Sequence, residues 1–316
     1  MVLGNFLFPC PASAAVTNDA PRVLLVVGAP GEAEYATNFL AQAARWEAAC
    51  AAAGAAHLTL GTGATNTAAD LDQLRLALEA EPRDGPAELW LVLIGHGTFD
   101  GKTARFNLRG PDLTVTNLAQ WLAPFRRPLA VINTASASAP FLNALAGTNR
   151  VVITATRSGA EQNLTRFGQF FAEAVADPAA DLDRDGQTSL LEAFLAASAR
   201  VKEFYETENR LATEHALLDD NGDGRGTPAD WFRGTRAVRQ AAEDAAPDGA
   251  RAHQRHLIRS PAEGEFTAEQ RARRDELEQS VEALRRRKAG LAEEEYYREL
   301  ERLLLDLARL HRNQGS

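Results

Sequence analysis

Residues Leu89 to Gly97 read L-W-L-V-L-I-G-H-G. Six apolar residues in a row, cut off at once by glycine, are too short for an ordinary buried helix and predict a strand covered on both faces. Working outward, the same signature recurs at Arg22-Val-Leu-Leu-Val-Val27, which opens on Gly28-Ala-Pro-Gly31, at Leu129 to Ile132 and at Val151 to Thr154. His57-Leu-Thr-Leu60 is a shorter candidate. Helical patterns lie between these runs, over Ala33 to Ala53 and over Asp70 to Ala80, where Leu71, Leu74, Leu76 and Leu78 are among the apolar positions. Strands that alternate with helices imply right-handed crossovers, so the expected class is α/β, with a mainly parallel sheet and helices on both faces.

The flanks of this body read differently. Residues 1–20 are expected to be a signal or leader segment, because an apolar start ends in Ala12-Ser13-Ala14, a small-x-small pattern that resembles a secretory cleavage site. Export to the periplasm or beyond follows from that reading, with a cytoplasmic chain as the alternative. The body is expected over residues 21–243, a polar connector with Pro247, Gly249, Pro261 and Gly264 over 244–266, and a helical tail over 267–316. In the tail Leu277, Val281, Leu284 and Leu291 form one heptad-like seam and Tyr296, Leu300, Leu303, Leu307 and Leu310 a second, broken at Ala289-Gly290. Two such seams predict a helical hairpin, docked on the body or paired with another chain, so self-association through these helices is a partner reading.

A formal net charge of −9 argues against a nucleic-acid-binding footprint. After the leader no stretch is long and apolar enough for a membrane span. Two cysteines, Cys10 and Cys50, provide no disulfide framework and no metal-ligand spacing. Gly28-Ala-Pro-Gly31 and Gly61-Thr-Gly63 lack the full dinucleotide fingerprint, and no Gly-Lys-Ser/Thr phosphate loop occurs.

Calcium is the cofactor the chain points to. Asp181 to Glu192 reads D-L-D-R-D-G-Q-T-S-L-L-E, the pattern of an EF-hand loop, with Asp181, Asp183, Asp185, Ser189 and Glu192 at ligand positions, the Gln187 carbonyl at the seventh and glycine at the sixth. Four carboxylates in one turn repel each other unless a cation sits among them. Thr188 stands where an aliphatic residue is usual, which suggests a single loop embedded in another fold. A second stretch, Asp219 to Asp230, offers Asp219, Asn221, Asp223, Thr227 and Asp230 at the same positions. It departs further from the pattern, since Asp230 reaches less far than a bidentate Glu, and an N-G-D-G turn without metal explains it nearly as well.

The candidate active centre follows from where the strands end. In a parallel α/β sheet, residues after the carboxyl ends of adjacent strands meet at one rim. Here those are Gly95-His96-Gly97 and Asn133-Thr-Ala-Ser-Ala-Ser-Ala-Pro-Phe141. The arrangement resembles the caspase and legumain superfamily of cysteine peptidases, bacterial type, over roughly Arg22 to Phe232. The resemblance implies a His-Gly after one strand, a nucleophilic Cys after the next and backbone amides as an oxyanion hole. The departure is that no cysteine follows the second strand. Aligned on Ser138-Ala139, Ser136 takes the nucleophile position, and a Ser-His dyad with the Gly97 and Ser136 amides results; aligned backwards from Phe141, Ala135 takes it and the site is dead. Asp100 and Asp112 are alternatives for orienting the His96 ring, while Arg105, Arg109, Asp112, Arg157 and Glu161 are candidates to line a cleft. His215 is expected to pack or hydrogen-bond.

Three functions remain: a catalytically impaired peptidase homologue that binds calcium and a peptide or protein partner, an active serine hydrolase using Ser136 and His96, or a calcium-stabilised assembly module.

Overall fold

The computed structural model of the chain describes residues 20–63, 69–241 and 246–312. The leader reading, with Cys10, lies outside them.

Its centre is a seven-stranded sheet in the order β10-β9-β8-β7-β3-β1-β2. The strands β1 (Arg22–Val27), β2 (His57–Leu60), β3 (Leu89–Ile94), β7 (Leu129–Asn133) and β8 (Arg150–Thr154) are parallel to one another. β9 (Leu217–Asp219) and β10 (Thr227–Pro228) run antiparallel at one side. The α/β class read from the sequence, mainly parallel, is the class observed.

Period-two alternation explains why the strands are apolar throughout. Val23, Leu25 and Val27 of β1, with Trp90, Val92 and Ile94 of β3, face one core, which includes Phe39 and Trp46 of α1 (Ala33–Ala53), Phe167 and Phe171 of α5 (Phe167–Ala174) and Phe194 of α6 (Leu190–Thr207). The intervening Leu24, Val26, Leu89, Leu91 and Leu93 face the other, built with α2 (Asp70–Ala80), α3 (Val115–Leu122) and α4 (Ala139–Leu145). Two filled faces fix the register, because a one-residue slip would exchange the cores.

Between β3 and α3 the chain inserts a small antiparallel sheet of β4 (Gly97–Phe99), β5 (Ala104–Phe106) and β6 (Leu113–Thr114). After β10 come a hairpin of β11 (Phe232–Arg233) and β12 (Arg236–Ala237), then the short helices α7 (Ala250–His253) and α8 (Pro261–Gly264). The stretch read as a polar connector packs closely on the body. Ala252, Leu257 and Phe266 are buried, the Leu190 amide donates to the Arg255 carbonyl at 2.8 Å, and the Arg255 guanidinium reaches Glu88 and Asn149 at 3.2 and 3.0 Å.

The tail is a hairpin of α9 (Ala268–Arg287) and α10 (Glu293–Arg312). Thr267 and Gln270 form a capping box that starts α9. Leu277, Val281 and Leu284 pack on Tyr296 and Leu303, backed by Leu291, Leu300 and Leu307, as a core of their own. No helix among the described residues is long and apolar enough to cross a membrane.

Candidate functional site

The carboxyl ends of β3 and β7 bring His96, Gly97 and Ala135 to Ser138 to one rim, because the two strands pair in register with Leu93 beside Asn133. The approach is tight. A side chain on Gly97 would place its first carbon 2.3 Å from the Ser136 carbonyl oxygen, so glycine is required by contact.

Ser136 is buried and its hydroxyl is engaged by Gly97: Oγ donates to the Gly97 carbonyl at 3.0 Å and accepts from the Gly97 amide at 3.1 Å. The amide that the peptidase resemblance makes an oxyanion donor therefore points at Ser136 itself. Ala135 is buried in the core on the α2–α4 side of the sheet. The next residue, Ala137, adopts a left-handed backbone (φ 51°), held by its amide donating to the Glu161 carbonyl at 2.7 Å. Such a conformation costs a non-glycine residue free energy, and strain of this kind clusters where a chain must present or withhold a group.

The His96 ring is gripped edge-on by Tyr35 and Phe39 of α1, with centroids at 4.8 and 5.1 Å. Burial pushes its imidazole below the ordinary histidine value, against a hydrogen bond with the Pro30 carbonyl that acts in the other direction. Neither expected carboxylate holds the ring. Asp100 accepts from the Lys102 and Thr103 amides and from Arg105 at 2.8 to 2.9 Å, which keeps its carboxyl at about 2; Asp112 accepts from the Leu108 amide at 3.0 Å. Arg109 turns away to Asp70 and the Gly63 carbonyl. Cys50 is buried in α1 among Trp46 and its neighbours, where burial pushes its thiol up to about 11, far from thiolate reactivity.

On the other side of Ser136, His215 Nδ1 lies 2.6 Å from Glu161 Oε1, and Arg157 stands 3.4 Å from the same oxygen. His215 also borders an apolar groove of about 570 Å³ walled by Phe167, Val201, Tyr205, Ala216 and Pro228, with Leu211 at its mouth. Leu211 is 91% exposed.

In the first acidic loop, oxygens of Asp181, Asp183 and Asp185 lie within 4.8 Å of one another. A second set joins Asp183 and Glu192 to His253, whose Nε2 is 3.0 Å from Asp183 Oδ2. Left-handed Arg184 and Gly186, at φ 63° and 89°, wind the chain around this centre. Ser189 and Glu192 also form the capping box that starts α6, while Glu192 Oε1 accepts from the Leu182 amide at 2.8 Å. The Gln187 side chain donates to Asp185 within the loop at 2.9 Å and accepts from the Ser260 amide outside it at 3.1 Å. Burial, with the Asp185 charge next, raises the Asp183 carboxyl. Oxygen donors of this density fit a hard cation such as calcium.

The second loop is organised around residues the motif does not include. Asp220 accepts from the Gly249 and Ala252 amides at 2.9 and 2.8 Å, and Asp248 accepts from the Asp220 and Asn221 amides and the Thr227 hydroxyl. Burial and the Asp220 charge push Asp248 up to about 8. Asp219 is buried with its Oδ2 unpartnered, and burial pushes it up to about 6. The Asn221 side-chain oxygen Oδ1 accepts from the Asp223 amide at 2.7 Å. Asp230 is exposed in the turn Ala229–Trp231 and faces the apolar groove.

Local sequence carries no signal for Pro30, His253 or the Glu161–His215 pair, whose members meet only through the fold. Among solved structures the chain is similar to the Drosophila initiator caspase Dronc, at 13% identity over 66% of this chain and 83% of that one, with a TM-score of 0.42. It is similar also to caspase-1 from Spodoptera frugiperda, at 8% identity over 68% of this chain and 94% of that one, with a TM-score of 0.41. No protein-family model and no curated protein matches the chain.

Proposed function

We propose that the chain is a caspase- or legumain-like peptidase homologue without cysteine-peptidase activity, which holds calcium and binds a peptide or protein partner at the carboxyl rim of its sheet. The observation that carries this reading is the fate of the nucleophile position. A serine needs a base within hydrogen-bond reach to attack an acyl carbon, and the Ser136 hydroxyl is committed in both directions to Gly97 while the His96 ring is turned to Pro30. The described residues place no thiol at the rim; their cysteine, Cys50, is in the core.

Calcium in the 181–192 loop is supported by the convergence of Asp181, Asp183 and Asp185 on one point and by the buried Glu192 beside them. The unpartnered Asp219 Oδ2 supports a second cation in the 219–230 loop, since a buried carboxylate oxygen without a donor is costly until something satisfies it. Partner binding is supported by the apolar groove at His215, which suits an extended peptide carrying a bulky apolar side chain. Export is proposed on Ala12-Ser13-Ala14 alone.

Treatment with a fluorophosphonate probe, followed by peptide mass mapping, tests the catalytic part. The expected result is an unlabelled Ser136 and no His96-dependent turnover of a broad peptide library. Labelling of Ser136 that disappears in His96→Ala would replace this reading with the serine hydrolase. Peptides selected by display against the parent should lose affinity for Leu211→Asp; unchanged binding would remove the groove from the proposal.

A further inference from the structure

Eight large apolar side chains are exposed on the described surface, and three of them, Tyr297, Leu304 and Leu305, sit on one helix, α10, at 50%, 49% and 47% exposure. At 100° per residue, Tyr296, Leu300, Leu303 and Leu307 point into the hairpin seam. A second stripe, Tyr297, Leu304 and Ala308, lies about a quarter-turn away, with Leu300 on its inner margin and Leu305 on its outer. Lys288 stands over the rings of Tyr296 and Tyr297 at 5.1 and 5.8 Å and so fixes the start of this stripe.

Charge identifies what covers it. The helix begins with Glu293, Glu294 and Glu295 and ends with Arg309, His311 and Arg312. Glu293 and His311 share one side of the outer stripe, and Glu294 and Arg312 the other, by the same helical geometry. A parallel copy of the helix would set acid against acid and base against base. An antiparallel copy sets the acidic end of each helix beside the basic end of the other, while Tyr297 falls against Ala308 and Leu304 against Glu301 of the second copy, near the axis.

We propose that α10 pairs with α10 of a second copy of this chain, antiparallel and about a two-fold axis, so that two tail hairpins close into a four-helix bundle. The inference is independent of what the rim or the acidic loops do. Because one helix of 20 residues supplies the contact, the interface is small and the dimer dissociates in the micromolar range.

Sedimentation of the full chain from about 1 to about 100 µM is the first test, with the mass rising towards twice that of one chain. The double variant Tyr297→Glu, Leu304→Glu alters half-exposed positions, so it should keep the parent's circular dichroism and, below the dissociation range, its melting, while sedimenting as a monomer throughout. Orientation is read by a short bis-maleimide in a Cys10→Ser background. Glu301→Cys, near the axis, cross-links between copies, and Arg312→Cys, at opposite ends of an antiparallel pair, does not. A parent that stays monomeric, or a dimer indifferent to the Tyr297 and Leu304 changes, overturns the proposal; efficient cross-linking through Arg312→Cys overturns the antiparallel register.

Discussion

The Ser136 hydroxyl and the Gly97 peptide hold one another by two hydrogen bonds, at 3.0 Å to the carbonyl and 3.1 Å from the amide. Such a pair ties the end of β7 to the start of β4, which is a structural task. Ser136→Ala should therefore destabilise the fold by about 1–3 kcal/mol, the usual cost of leaving buried polar groups unpaired. Urea unfolding measures it. A stability within error of the parent would mean that the hydroxyl is free to leave Gly97 and would revive it as a candidate nucleophile.

Calcium should raise the melting temperature of the parent, by the equivalent of about 2.7 kcal/mol when free metal is a hundredfold above its dissociation constant. Glu192→Gln separates the metal from the capping box, because glutamine still caps α6 but ligates poorly. The expected result is a melting point close to that of the chelated parent and unresponsive to calcium. Asp219→Asn should remove a second, weaker heat in titration calorimetry and leave the first. An unchanged parent midpoint between chelator and saturating calcium would rule out the first loop as a stabilising metal centre.

The depressed His96 imidazole gives a signed pH dependence. With the folded value below the unfolded one, near 6.5, the unfolded chain binds the proton more readily. The stability linked to this group is fully present above about pH 6.5 and is lost as pH falls from there through the folded value. Ring-proton NMR should show His96 less protonated than an exposed histidine at the same pH, and His96→Phe should flatten the pH dependence of unfolding across that window. A ring that titrates at the ordinary value would contradict the Tyr35 and Phe39 environment.

Removing residues 267–316 should leave a body that melts cooperatively, because the hairpin core draws on α9, α10 and their connection alone. The loss should be modest and traceable to the junction, where Arg274 pairs with Glu263 and Gln254 donates to Glu278 at 2.9 Å. An insoluble truncation product would show that α9 completes the body.

How much of this was legible depends on the distance over which each signal acts. The parallel strands announce themselves because burial on both faces demands uninterrupted runs such as Leu89–Ile94, and the tail because its seams repeat within two helices. β4, β5, β6, β9 and β10, at three residues or fewer, are too short to show a period, and their pairing is decided by what lies across from them. The same limit governs the sites. Asp181, Asp183 and Asp185 meet within one turn and can be read off directly, whereas His253 reaches Asp183 across 70 positions and sits in a stretch whose composition reads as a linker. Glu192 is ambiguous in sequence for a different reason: one carboxylate ends the acidic loop and caps a helix.

The two margins of the central sheet have unequal futures in contact with other chains. β10 contributes only Thr227 and Pro228, and a proline has no N–H to offer an incoming strand, so hydrogen-bonded growth stops there. At the opposite margin β2 has β1 as its one strand neighbour among the described residues, which leaves the outward backbone of His57–Leu60 as the place where a foreign strand can be received. Were an extended segment to add to this sheet, its backbone partners among the described residues would be those of the β2 margin, on the far side of the sheet from Pro228.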